Sequence, residues 1–451
     1  MSSKPGNTPE TQRALVLEGG GALGAYEVGV LSVLCDNLSK HGEDTKKEGP
    51  LFDIVAGTSI GAMNAAVLIS NIVNRNKTWK EAVQELENFW TDEKNGLSSN
   101  PDYSKWWWNN GNSQNNVGAS ENARRKYYSV KEYLAHGTPR VSTPAEIRAL
   151  DNKFGDQQDN VWPHHRSDPL EQTIVKYSTD ENVKQKMRIF TSREKKQPRL
   201  LVITVDVAKG KTVTFDSYHT AADDPENTLY EGDGITIDHI MTSGTLPVFY
   251  DFRKLGGLQF CDGGLLSNTP FRELLQAHQD YWLQVMDANK QKIPDLEVYI
   301  VNDHPSKGSY IKDDDLDGTK DRINDIIYSD RNSYYDENVA NQASDYVEII
   351  NGIRKIARRH FSKDKFDVFQ QDFKNFLERT EAKSKSDVQG GGKRTYKDVL
   401  NCTFNLKNVV RIENSSPYDD SISGKGADFS SPTIKGLIKK GTDDASKVLK
   451  P

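Results

Sequence analysis

Apolar positions along the chain fall into short runs that end in glycine turns and hand over to helical stripes. Ala14-Leu15-Val16-Leu17 is one such run, and it stops at Glu18-Gly19-Gly20-Gly21. Leu23, Tyr26, Val30, Val33, Leu34 and Leu38 then recur every three or four residues, the spacing of one helix face. Residues 51–56 are strand-like again and run into Gly57-Thr58-Ser59-Ile60-Gly61. Ala62, Met63, Ala65, Ala66, Val67 and Ile69 make a second helix of small and apolar residues. Strand, loop, helix, strand, turn and helix predict an α/β fold around a parallel sheet.

The pattern changes over 95–199. Asn, Ser, Gln and charged residues dominate 95–122, with aromatics interspersed: Tyr103, Trp106, Trp107, Trp108, Tyr127, Tyr128, Tyr133 and Trp162. This stretch reads as an insertion or cap on the sheet. Regular signals resume with a strand at 200–207 and its hairpin partner at 211–215. A helix follows at 235–243, and a strand at 259–264 runs into a turn. A helix then opens at Pro270, and a buried strand spans 296–301. From 320 to 383 the pattern is helical. Ile323, Ile326, Ile327, Val339, Tyr346, Ile350, Ile353, Phe366, Phe369, Phe373 and Phe376 form a stripe that predicts core packing between helices. Residues 383–397, with Gly390, Gly391 and Gly392, read as a flexible linker. A last strand is expected at 403–412, and Ser431-Pro432 opens a closing helix.

Composition narrows the function. The chain has 451 residues, 35% hydrophobic and 27% charged, so a sizeable core under a polar surface is expected. The formal charge of -6 argues against a general nucleic-acid binder. A local basic run, Arg354, Lys355, Arg358, Arg359 and His360, reads as a solvated helix face. No apolar stretch approaches the ~20 residues of a membrane span, and the N-terminus, residues 1–12, is polar, loose and without a leader's apolar core. Cys35, Cys261 and Cys402 have neither metal-ligand spacing nor a disulfide framework, which points to reduced thiols in a cytoplasm-like compartment.

Three motifs carry candidate chemistry. Gly57-Thr58-Ser59-Ile60-Gly61 matches G-x-S-x-G between a strand and a small-residue helix, the context of a nucleophile elbow. Gly19-Gly20-Gly21-Ala22-Leu23-Gly24 admits two readings. It could aim backbone N–H groups at an oxyanion, or it could be a dinucleotide fingerprint. The second needs an acidic ribose partner at the end of the next strand. That strand ends at Ala56-Gly57-Thr58-Ser59, with Asp53 inside it and Asp36 inside the first helix. A hydroxyl nucleophile also needs a base. None of the nine His sits in a motif, although a late one such as His304 fits the usual triad order. Asp262-Gly263-Gly264 offers a carboxylate at a strand end, which a water-poor pocket could turn into a base.

Taken together and in this order, the three motifs resemble the patatin-like phospholipase family. GGGALGAYEVGVL (19–31), DIVAGTSIGAMN (53–64), TSGTLP (242–247) and FCDGGLLSNTP (260–270) carry the likeness, and 428–445 resembles the closing segment of some bacterial members. The resemblance implies a three-layer α/β fold with a mainly parallel central sheet, a helical insertion and a helical C-terminal segment. It implies a catalytic core at 13–305 with 95–199 inserted, a helical elaboration at 306–400, and a strand and helix at 401–451 returning to the core.

By the same resemblance Ser59 is the nucleophile and Asp262 its sole partner, a dyad without His. Gly19, Gly20, Gly21 and Gly24 form the oxyanion loop. Gly57, Gly61, Gly263 and Gly264 support the two turns. Leu23 departs from members that carry Arg or Lys there. The implied activity is serine acyl hydrolysis of phospholipids or lysophospholipids with no metal or other cofactor. Acyl transfer through the same dyad, or a lipid-binding scaffold without turnover, are the alternatives. The implied partner is lipid, met through peripheral, reversible membrane contact, with Trp106, Trp107 and Trp108 as an interfacial anchor or lid.

Overall fold

The computed structural model describes residues 8–39, 50–100, 121–142, 165–180, 187–223, 228–247, 249–285, 293–308, 311, 315–382, 395–401, 403–415 and 424–449. Trp106, Trp107, Trp108, Trp162, Cys402 and the glycines at 390–392 lie outside them.

The described strands are β1 (Thr11–Leu17), β2 (Ile54–Thr58), β3 (Arg188–Ile189), β4 (Arg199–Asp206), β5 (Lys211–Asp216), β6 (Ile235–Thr236), β7 (Arg253–Leu255), β8 (Leu258–Asp262), β9 (Asp295–Asn302) and β10 (Leu406–Glu413). The main sheet runs β10-β9-β1-β2-β4-β8-β7, with β5 also on β4. β1, β2 and β4 are mutually parallel, whereas β5, β7 and β8 add antiparallel pairs. Every residue of β2 and β4 is buried. That is expected of central strands covered on both faces, and it explains why they read as continuous apolar runs without alternation.

The described helices are α1 (Ala25–Leu38), α2 (Ile60–Val73), α3 (Trp79–Thr91), α4 (Glu121–His136), α5 (Asp168–Ser178), α6 (Ile237–Ser243), α7 (Phe271–Val285), α8 (Leu316–Tyr328), α9 (Ser333–His360), α10 (Lys363–Arg379), α11 (Tyr396–Asn401) and α12 (Ser431–Val448). None of them is long and apolar enough to cross a membrane. Helices flanking a mixed sheet make this an α/β fold with a helical C-terminal region.

The chain forms two compact units. The larger comprises 14–270, 299–330 and 410–451. In it α2 is buried from Ile60 to Asn71, which its small residues permit. α12 crosses α1 at two glycines. A Cβ on Gly29 would lie 1.9 Å from the Ile438 carbonyl oxygen, and one on Gly441 2.1 Å from that of Tyr26. Only glycine lets the backbones approach so closely. Beside the crossing, Tyr26 Oη donates to Asp444 Oδ2 at 3.4 Å.

The smaller unit comprises 1–13, 271–298 and 331–409. Its internal ties include Trp282 Nε1 donating to Gln12 Oε1 at 2.8 Å and Ser344 Oγ donating to the Phe404 carbonyl at 3.0 Å.

One expectation fails. The apolar stripe of 320–383 is not a core. Ile323, Ile326 and Ile327 on α8 and Tyr346 and Ile353 on α9 are about half exposed, and α10 buries no residue. Periodicity marks an apolar face but does not say that anything covers it. In α8 the buried positions are Gly318, Asp321 and Asp325, so the acidic stripe faces inward. In α10 the rings of Phe366, Phe369, Phe373 and Phe376 stack along their own helix at 5.9–6.5 Å. Cys35 and Cys261 are both buried.

Candidate active site

Strand pairing brings the two motifs together. β5 lies along one edge of β4, from Leu201 to Asp206. The other edge is divided: β2 pairs with Arg199 through Ile203, and β8 takes over from Thr204 to Asp206. Thr58 thus sits opposite Ile203 and Asp262 opposite Thr204. The residue that follows Thr58 is Ser59.

Ser59 stands between β2 and α2 with φ 53 and ψ -123, on the left-handed side that a residue with a Cβ rarely adopts. Its N–H donates to Ser243 Oγ at 2.8 Å. The elbow requires its glycines. A Cβ on Gly57 would lie 2.5 Å from the Gly61 carbonyl, and one on Gly61 2.6 Å from the Leu17 oxygen. Ser59 Oγ donates to Asp262 Oδ2 at 2.6 Å, and the Gly264 N–H donates to Asp262 Oδ1 at 2.7 Å. Asp262 is 3% exposed. Burial pushes its carboxyl up to about 6, against the two hydrogen bonds, which pull it down. It therefore remains mainly ionised at neutral pH while being a far better base than an exposed aspartate.

The glycine loop runs beside Ser59. A Cβ on Gly19 would lie 3.0 Å from Ser59 Cβ. Asn268 holds the loop: its carbonyl accepts the Gly19 N–H at 3.2 Å, and its Nδ2 donates to the Gly19 oxygen at 2.8 Å and to the Tyr328 oxygen at 2.7 Å. Among the described residues the Gly20 and Gly21 N–H groups have no acceptor. Gly24 lies further back at the entry to α1, where its carbonyl accepts Asn64 Nδ2 at 2.9 Å. Leu23 is buried at 3% exposure and brings no charge to the loop.

Around Ser59 and Asp262 lies a cavity of about 430 Å³. Met63, Leu134, Leu170, Phe249 and Phe429 contribute an apolar wall. Its size and lining suit one apolar chain with a few polar groups fixing its orientation. His304 also lines the cavity, but its ring packs near Tyr328 with Nδ1 3.6 Å from Glu18 Oε2, whereas Ser59 Oγ donates to Asp262.

Sequence reasoning missed several residues here. Asn268 lies inside a quoted family segment yet has no chemistry of its own to draw attention. Ser243 likewise lies inside TSGTLP with nothing to single it out, and Lys425 and the 424–427 stretch reach the site only through tertiary contact. Behind the loop, Glu18, Glu27 and Asp303 are fully buried. Burial, together with repulsion from the neighbouring carboxylates, drives Glu27 and Asp303 well above the usual range, despite the opposing hydrogen bond from Asn64 to Glu27.

A family model described as patatin-like phospholipase matches residues 15–275. No curated protein matches the chain. Among solved structures, the crystal structure of VipD from Legionella pneumophila is similar, with 15% identity and a TM-score of 0.32 over 98% of this chain and 67% of that one. The family match spans the elbow, the glycine loop and the aspartate turn, and it covers more than half of the chain, which therefore belongs to the patatin-like phospholipase family of lipid acyl hydrolases.

Proposed function

We propose that the protein hydrolyses fatty-acyl esters of phospholipids or lysophospholipids through a Ser59–Asp262 dyad. The observation that carries this reading is the 2.6 Å hydrogen bond from the strained Ser59 to a buried carboxylate. Ser59 Oγ attacks the ester carbonyl carbon, and Asp262 Oδ2 takes the hydroxyl proton. The Gly20 and Gly21 N–H groups and the α2 N-terminus receive the charge that develops on the carbonyl oxygen. Asp262 then passes the proton to the departing alcohol oxygen, leaving an acyl ester on Ser59. Water attacks this ester and Asp262 accepts its proton; the bond from the acyl carbon to Ser59 Oγ then breaks, Asp262 returns the proton to Ser59 Oγ, and the fatty acid leaves.

The apolar wall of the cavity supports acyl-chain binding. Leu265 and Leu266 follow directly on the Asp262 turn and are 48% and 47% exposed, which supports a brief, reversible contact with a lipid surface.

A fluorophosphonate probe and a panel of phospholipids test the reading. Labelling and fatty-acid release should both disappear in Ser59→Ala, and release should collapse in Asp262→Asn. Fatty-acid release that survives Ser59→Ala would falsify the dyad.

A further inference from the structure

The lining of the cavity divides into two groups, each knit by its own contacts. The apolar group includes Tyr133, whose ring lies 5.7 Å from Phe429 and 6.5 Å from Phe249. The polar group includes Asn268, bonded to the Tyr328 carbonyl, and His304, whose ring lies 5.8 Å from Tyr328. Lys425 belongs to the polar side. It is the only Lys or Arg among the described residues that line the cavity. Its neighbour Gly426 packs against the glycine loop so tightly that a Cβ on Gly21 would lie 2.4 Å from the Gly426 oxygen. A cation is thus placed beside the loop by a segment far away in sequence, while Leu23 within the loop supplies none.

Lys425 is not alone there. Its Nζ lies 2.6 Å from Asp325 Oδ1 and 3.2 Å from Asp321 Oδ2. The two carboxylates are buried, at 6% and 9% side-chain exposure, whereas Lys425 keeps 25%. Two buried negative groups therefore share one accessible positive group. Asp321 Oδ1 has no hydrogen-bond partner among the described residues. A lipid phosphate that engages Lys425 draws its charge away from the carboxylates. Buried carboxylates deprived of their counter-charge are costly. An amine on the same head group restores that charge, whereas a head group with a phosphate and no amine does not.

We infer that Lys425, Asp321 and Asp325 form a head-group reader that selects lipids carrying both a phosphate and an amine over anionic lipids with a phosphate alone. This deepens the lipid-hydrolase reading and rests on it. Lys425, which lines the cavity, meets the phosphate, and the ammonium takes the lysine's place beside the acidic pair, which lies behind it and does not itself line the cavity.

The test measures equilibrium binding of short-chain lysophosphatidylethanolamine and lysophosphatidylglycerol, both as monomers, to the full-length Ser59→Ala protein. The amine-bearing lipid should bind about tenfold more tightly. Asp321→Asn combined with Asp325→Asn should bring the two affinities to within about twofold, and Lys425→Met should weaken both lipids. The preference is a ratio within one protein sample, so a partly folded variant does not distort it. Equal binding of the two lipids, or a preference that survives both Asn substitutions, overturns the proposal. Because a protein without its hydroxyl cannot turn over, missing hydrolysis in the unmodified enzyme would strike the dyad and leave this binding result standing.

Discussion

α2 and α8 both wall the same cavity, yet they are built in opposite ways. α2 is apolar nearly all round and buried, with Gly61, Ala62, Ala65 and Ala66 letting the sheet and neighbouring helices close in. α8 turns Asp321 and Asp325 inward and leaves Ile323, Ile326 and Ile327 about half exposed. The first is held by packing, and its geometry tolerates almost no change in volume. The second is held by polar ties: Lys425 on its acids, Arg322 on the Pro305 and Ser306 carbonyls, and Asn268 on the Tyr328 carbonyl. Ser59, the proposed nucleophile, sits at the N-terminus of the packed helix. The proposed head-group reader sits on the helix held by exchangeable contacts.

The largest expected effect lies at the rigid side. Ser59→Ala should lower kcat/KM by about 10⁴-fold or more, read as initial rates of fatty-acid release. Next comes the base. With its carboxyl at about 6, Asp262 is protonated below that pH and can no longer accept a proton. Activity should therefore be full above about pH 7, be halved near 6, and fall about tenfold per unit below it. An acid limb near pH 4 instead would show that burial does not tune this group.

The packing contrast can be broken directly. Gly441→Ala should destabilise the larger unit by about 1–3 kcal/mol, because the added methyl overlaps the Tyr26 carbonyl. Ala65→Val on α2 should cost a similar amount in denaturant melts, since the site is fully buried. Ile326→Gln on α8, at 49% exposure, should stay within about 0.5 kcal/mol of the parent. If the α2 and α8 substitutions cost the same, the distinction between the two walls fails.

Legibility in the sequence followed the range of each constraint. Ser59 at a strand-to-helix turn and Asp262 at a strand end could be read, because the glycines that shape these turns lie within a few residues. The shared edge of β4 that brings Ser59 and Asp262 to 2.6 Å could not be read, since register is a property of pairing and not of any one strand. Lys425 gave no local signal at all, because its partners are a hundred residues away. The isoleucines of α8 misled for a different reason. Spacing shows that residues share a face, whereas burial depends on what the rest of the chain brings to that face.

The 424–429 stretch closes over the glycine loop, and α12 locks against α1 immediately after it. Both motifs that supply Ser59 and Asp262 are synthesised long before these residues. A nascent chain can therefore carry Ser59 and Asp262 while the cavity still lacks one wall and Lys425. The cavity thus joins the two ends of the chain, and it is complete only once Gly426 has folded back onto Gly21.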